Sequence, residues 1–566
     1  MHFRSTIRLR GRVSGRAGGG NGFLRLAVLA AASLLLLAGT LHEVYAGSLW
    51  GGTSDEVGAA LRERLASPRG APATAWGEPL RSPYLLHELY RDREFRPFWS
   101  DENGPLRKAY DMRRVIRNSY REGLNPENYH AQAVDAALEA LKGRPTEASW
   151  LADLDLLLTD AVINYGYHSF YGLINPETYE LQWLNAGSGE GLMETIRKTL
   201  NSTHVEMPLR TLIPSHPHYV KLRQALAEYL ELAQTGGWPR VPEGKTLKKR
   251  ETDLRVPLLR DRLAASGDLE GGGQKGNELF DGALEEAVRR FQGRHGLEAD
   301  GVVGRRTLEA LNVPIEERMR QIALNMDRWR RLRHDLGSRY IIVNISDFSL
   351  EVHENGRLVL SMLVVAGKPF WNTPVFSARM TYLVFNPSWH IPKNIITKEV
   401  LPNVRQDPLY LNKMDIMVLK DNTPVDPSGI DWSVVNGEDF PYRLVQPPGP
   451  SNPLGEVKFM LPNPFAVYLH DTPYRGLFRK TVRAFSHGCI RVEKPLELAE
   501  YVLGWSREAI LAEIENGTEK AVPLPAPIDV HVVYLTAWVD ASGLLQFRPD
   551  IYGRDEIQYG DMPVFY

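Results

Sequence analysis

Residues 484–492 read Ala484-Phe485-Ser486-His487-Gly488-Cys489-Ile490-Arg491-Val492, and Cys489 is the only cysteine among 566 residues. A thiol attacks well only as the thiolate, so it needs a base or a positive field beside it. Two histidines are candidates. His487 lies two residues away and faces elsewhere if the segment is extended. His470 ends a short strand pattern, Ala466 to His470, 19 residues before the cysteine. That separation lets a loop return and set its imidazole beside the thiol. Gly488 lets the backbone turn tightly, and the amides of Gly488 and Cys489 are placed to point at a developing oxyanion.

Around this motif the chain reads as strands. Residues 340–346 and 349–353 alternate with period two, and Glu354-Asn355-Gly356-Arg357 is a strong hairpin turn, since Asn-Gly tolerates the positive φ angles required. Residues 358–367 form the return strand and 381–385 another. Pro402, Pro408, Pro424 and Pro427 break the pattern, so residues 393–457 read as an insertion. Residues 493–517 read as helical, and 528–538 with 543–547 as a closing hairpin. This half is β-rich.

The other half is helical. Residues 82–240 carry apolar residues at helical spacing, notably 151–165 and 219–233. Phe95, Phe98, Trp99, Tyr165, Tyr167, Phe170 and Tyr171 read as a helical core, with ligand stacking the alternative. Residues 237–244, with Pro239 and Pro242, form a joint. In 256–313, Asp281 caps a helix over 282–293 that puts Leu284, Ala287, Val288 and Phe291 on one face, and a second helix spans 305–311. Residues 47–81, rich in Gly, Ala, Ser and Pro, read as a linker.

The first 46 residues hold Arg4, Arg8, Arg10, Arg12, Arg16 and Arg25 before an apolar run from Leu26 to Leu41, and Glu43 is their only acid. Val44-Tyr45-Ala46 follows. Basic, then apolar, then small is the secretory pattern, with an uncleaved membrane anchor as the alternative. Either way the bulk of the chain is exported, to the periplasm. The whole chain has 67 basic and 69 acidic residues, and this balance argues against a dedicated nucleic-acid binder. One cysteine excludes an intramolecular disulfide framework and a thiolate-cluster zinc site. A 43% apolar composition excludes a disordered chain.

His470 and Ser486-His487-Gly488-Cys489 resemble the YkuD-type L,D-transpeptidase catalytic domain, whose pattern is a His, a gap of roughly fifteen residues and Ser/Thr-His-Gly-Cys. Residues 287–292 (Ala-Val-Arg-Arg-Phe-Gln), Gly296-Leu297, Asp300-Gly301-Val302-Val303-Gly304 and Thr307-Leu308 resemble the peptidoglycan-binding three-helix domain, with a non-binding helical spacer as the alternative. The layout is similar to the larger YcbB-like L,D-transpeptidases. The fold class implied is multi-domain α+β: a helical scaffold domain (82–240), a small three-helix peptidoglycan-binding domain (256–313) and a β-rich catalytic domain (338–548) with an inserted capping subdomain at about 393–457.

The resemblance implies roles residue by residue. Cys489 is the acylated nucleophile and His470 the general base. The Asp471 backbone carbonyl orients the imidazole, and the Asp471 side chain, unlike the small residue common there, points to solvent. Tyr468 lines the cavity and assists the oxyanion hole with the Gly488 backbone N–H. Trp389 is an aromatic wall under the cap, or plain core packing. Ser486 holds the loop, and His487 is an orienter rather than the base. Arg491 binds a peptide carboxylate or pairs with an acid such as Glu493. The implied reaction joins tetrapeptide stems by 3→3 cross-links with loss of the terminal D-Ala, with no metal or organic cofactor, and carbapenems acylate the same thiol. The partners implied are peptidoglycan stem peptides and glycan strands. A partner synthase could dock on the aromatic-rich helical part, and the membrane is a partner only if the leader stays uncleaved. Alternatives are an L,D-carboxypeptidase, attachment of proteins to peptidoglycan, or a non-catalytic wall-binding scaffold.

Overall fold

The computed structural model describes residues 53–66, 73–173, 190–270, 276–332, 335–437, 439–558 and 562. The signal or anchor expected at 1–46 lies outside them. Among the described residues no helix is long and apolar enough to cross a membrane.

The N-terminal unit is helical, and its hub is the 24-residue helix Ala148–Tyr171, buried on nearly every side. A helix apolar all round belongs in the middle of a bundle. Its Asp155 is fully buried and satisfied, taking bonds from Tyr90 Oη at 2.6 Å and from the Phe98 and Trp99 amides at 2.8 and 2.9 Å. Trp99, Phe98 and Tyr165 are core residues as expected, whereas Tyr167 is exposed. The expected linker differs from its reading. It contains helix Thr53–Leu65, whose Val57 and Leu61, four residues apart on one face, are buried in the helical core.

The small domain holds helices Val256–Ala265, Gly282–Arg294 and Arg305–Leu311 around Phe280, Leu284, Val288 and Phe291. Asp281 Oδ1 caps the second helix, accepting from the Leu284 amide at 2.9 Å. The Asp300-Gly301 turn is fixed by Gln292. Its Nε2 donates to Asp300 Oδ1 at 2.7 Å and to the Val302 carbonyl at 2.9 Å, while its Oε1 accepts from the Gly301 amide at 2.8 Å. Gly301 sits at φ +77°, which favours glycine.

The β-rich half is built on a nine-stranded sheet. Its strands are β1 (Arg339–Asn344), β2 (Ser349–Glu354), β3 (Arg357–Gly367), β4 (Phe376–Phe385), β5 (Val457–Met460), β6 (Leu469–His470), β7 (Ala484–Ser486), β8 (Ile490–Val492) and β9 (Lys520–Val533). The order is β7-β3-β8-β6-β5-β4-β9-β1-β2, and β2 pairs back to β3, so the sheet closes on itself. Asn355 and Gly356 make the β2–β3 turn at φ +50° and +74°. Helices Pro217–Gln234 and Ile315–Arg330 pack on each other, and Tyr219, Leu222, Met319 and Ile322 share one apolar cluster with the sheet.

Two readings differ in detail. Residues 493–517 form two helices, Pro495–Leu503 and Arg507–Glu515, because Gly504 at φ +68° ends the first. Residues 528–538 are not one strand. β9 ends at Val533, and Ala537–Val539 pairs separately with Leu545–Phe547. The insertion supplies three strands of a separate four-stranded sheet, Thr423–Val425, Met417–Lys420 and Arg443–Gln446, and Trp389–His390 just before it supplies the fourth. A separate apolar cluster including Ile396, Val404, Leu411 and Leu444 lies beneath it.

Candidate active site

The site is written into the register of β6 and β8. These strands run parallel, with Leu469 beside Ile490 and His470 beside Arg491, and the Ile490 amide donates to the Tyr468 carbonyl at 3.1 Å. Leu469 and Ile490 are fully buried in the core. Side chains alternate along a strand, so Tyr468, His470, Cys489 and Arg491 all take the opposite face. Lys458 on β5 pairs with His470 and joins them, its Nζ 3.9 Å from the centre of the Tyr468 ring.

His470 Nδ1 lies 2.6 Å from the Asp471 carbonyl oxygen. A carbonyl only accepts, so Nδ1 carries the proton and Nε2 is the basic nitrogen. Burial, then the charge of Arg491, pushes the His470 pKa down to about 3, so the ring is neutral. Burial also pushes the Cys489 thiol up, against hydrogen bonding from Tyr468 and the charges of Lys458 and Arg491. At rest the thiol and the imidazole are therefore both neutral, and Cys489 Sγ lies 3.9 Å from the Ala466 carbonyl oxygen. Burial and the nearby cysteine push Tyr468 far above the usual phenol range, keeping its hydroxyl a donor.

The turn before Cys489 is held by Ser486. Its Oγ donates to the Cys489 carbonyl at 2.5 Å and accepts from the Gly488 amide at 3.1 Å. This corrects the expectation for Gly488. Its N–H is engaged by Ser486 rather than directed at an oxyanion, while its φ of +114° is the tight turn anticipated. Thr373 Oγ1 braces the same loop, donating to the Gly488 carbonyl at 2.8 Å and accepting from the Gly367 amide at 2.9 Å. Tyr552 Oη donates to the Gly367 carbonyl at 2.6 Å. Sequence reasoning missed Thr373, Tyr552 and Lys458, which enter through chain segments distant from the motif.

Three further residues are placed by the structure, and the first departs from its expectation. The Asp471 side chain is buried rather than in solvent: Oδ2 accepts from the Glu456 amide at 3.0 Å and Oδ1 pairs with Arg475 at 3.1 Å. Gly455 makes the room, since a Cβ there would meet Asp471 Oδ2 at 2.2 Å. Arg491 does not pair with Glu493, whose carboxylate accepts from the Leu363 amide at 3.0 Å. Among the described residues no acid pairs with Arg491, and its buried Nε lacks a partner. His487 turns away from the cysteine toward the cap, its Nε2 2.5 Å from Glu399 Oε1 and its ring edge-on to Trp371 at 5.3 Å. Of the two readings of Trp389, packing fits: it lies against the apolar cluster of the cap.

Residues 338–527 match the family described as "L,D-transpeptidase catalytic domain", residues 84–226 a "Scaffold domain" and residues 252–311 a "Putative peptidoglycan binding domain". The β-rich unit with Cys489 and His470 thus belongs to the L,D-transpeptidase catalytic-domain family, joined to a helical scaffold and a peptidoglycan-binding domain. The chain is 36% identical over 219 residues to the "Putative L,D-transpeptidase" of Haemophilus influenzae, covering 38% of this chain and 44% of that protein. It is 39% identical over 80 residues to the N-acetylmuramoyl-L-alanine amidase CwlM of Mycobacterium tuberculosis, covering 13% and 20%. The chain therefore spans less than half the length of these curated relatives. A solved L,D-transpeptidase from Mycobacterium smegmatis aligns with 35% of this chain and 58% of its own at 16% identity, with a TM-score of 0.17.

Proposed function

We propose that the chain is an exported L,D-transpeptidase that forms 3→3 cross-links between peptidoglycan stem peptides through a thioester on Cys489. The observation that carries this is the β6–β8 register, which sets Cys489 on one face with a His470 imidazole oriented by the Asp471 carbonyl. Cys489 Sγ attacks the carbonyl carbon of the third stem residue as the thiol proton passes to His470 Nε2. The tetrahedral oxyanion collapses, the peptide bond breaks, and the leaving D-Ala amine takes that proton. The side-chain amine of a second stem then attacks the thioester. His470 accepts the amine proton and returns it to the departing sulfur, which restores the thiol.

With thiol and imidazole both neutral at rest, the proton moves as the C–S bond forms. The Cys489 amide and the Tyr468 hydroxyl are the oxyanion donors, under the field of Lys458. Arg491, with no acid of its own, takes the stem carboxylate. The small domain raises the local concentration of glycan strands, and the cap shields the thioester from water. The basic-then-apolar leader supports a periplasmic location.

The test is mass spectrometry of the chain mixed with disaccharide-tetrapeptide, beside Cys489→Ala. A dimer lacking one D-Ala, absent with the variant, is expected. Tripeptide monomer alone would make the protein an L,D-carboxypeptidase. No conversion, with no covalent carbapenem adduct, would overturn the assignment.

A further inference from the structure

Away from Cys489, the outer face of β2 meets the start of helix Pro217–Gln234. Glu351 and His353 are two apart on the strand and share a face, with His353 Nε2 2.8 Å from Glu351 Oε2. His218, the second residue of the helix, stands over them, its ring centre 6.0 Å from that of His353. One ligand atom from each of the three lies within 4.8 Å of the others. We propose that His218, Glu351 and His353 form a site for a divalent transition metal of zinc-like preference, which staples the scaffold-side helix to the catalytic sheet.

The donor set is that of a two-histidine, one-carboxylate site, suited to a borderline cation. Zinc bonds of about 2.0–2.2 Å in a tetrahedral site hold ligand atoms about 3.3 Å apart, against the 4.8 Å within which the three atoms already lie. The rings are already oriented. His218 and His216 both stack on Trp329, at 5.2 and 4.7 Å, and His353 stacks on Tyr340 at 5.0 Å. The Tyr340 hydroxyl in turn lies 3.1 Å from His216 Nε2. The site opens into a cavity of about 490 Å³ that also holds His216, Lys221 and Asp540, giving an entry path and room for a water as fourth ligand.

The test uses the full chain stripped by chelator and then titrated with Co²⁺ or Zn²⁺ alone. One Co²⁺ per chain with visible d–d absorption is expected, and Zn²⁺ should raise Tm by several degrees. His218→Gln should lose both effects. So should Glu351→Gln, which can keep a hydrogen bond to His353 and so spares the fold. Cys489 and His470 are a second pair of donors, so Cys489→Ala must retain both effects. Absence of one-to-one binding at millimolar metal, binding that survives in His218→Gln and Glu351→Gln, or binding lost in Cys489→Ala would overturn the proposal.

Discussion

Ser486 Oγ joins two backbone groups on either side of Gly488, and that single hydroxyl aims Cys489. Only a residue that both donates and accepts can do this, which is why the motif needs a hydroxyl there and why the role was legible in the sequence. The protonation state of Cys489 was not legible, because it depends on what the fold buries around the thiol. Burial raises the Cys489 pKa and lowers that of His470, so at neutral pH little thiolate is present. The rate of Cys489 alkylation by iodoacetamide, followed by intact mass, is therefore expected to rise steadily from pH 6 to beyond 8. A plateau below pH 7 would reveal a resting thiolate–imidazolium pair and overturn this account.

At the scale of elements, alternation explains what the sequence discloses. With Leu469 and Ile490 inward, Tyr468, His470, Cys489 and Arg491 must share a face once β6 and β8 pair in parallel. The helix Ile315–Arg330 was illegible for the opposite reason. Its Arg328 and Asp327 are buried, Arg328 pairing with Asp555 at 2.7 Å and Asp327 with the adjacent Arg330 and Arg331, so a charged pattern hides a core helix. The cap contact was equally hidden, since Glu399 and His487 are 88 residues apart. Glu399 sits in the π-turn Ile396–Val400, and Lys398 beside it lies 4.4 Å from the Trp371 ring centre. This turn is the seam between cap and catalytic loop. Glu399→Ala is expected to loosen the cap, raising KM about five-fold with a smaller change in kcat, as loss of about 1 kcal/mol from a part-exposed hydrogen bond implies. Faster amide exchange across residues 393–406 should accompany it. An unchanged KM with unchanged exchange would mean that the seam is held elsewhere.

At the scale of the whole molecule, the folded protein keeps a set of histidines neutral. Burial pushes His168, His216 and His218 down to about 4 and His470 to about 3, and holds His295 well below its usual range. Each would take a proton in the unfolded chain below its ordinary pKa of about 6.5. Between that value and the folded pKa the unfolded state binds more protons, so stability is fully present above about pH 6.5 and falls as pH drops. Asp155, Asp471 and Asp555, whose carboxyls burial raises, act in the opposite sense, between the ordinary carboxylate value and their raised one. From pH 6.5 to 5 the histidines supply the downward slope, with a ceiling of about 1.4 kcal/mol per pH unit for each one that titrates fully. Tm measured in chelator by tryptophan fluorescence is expected to fall steadily across this window. His295→Phe should flatten the slope, because phenylalanine can keep the stack on Phe291 and Phe547 and has no proton to gain. A Tm independent of pH from 7 to 5 would mean that these imidazoles are hydrated or already charged in the folded protein.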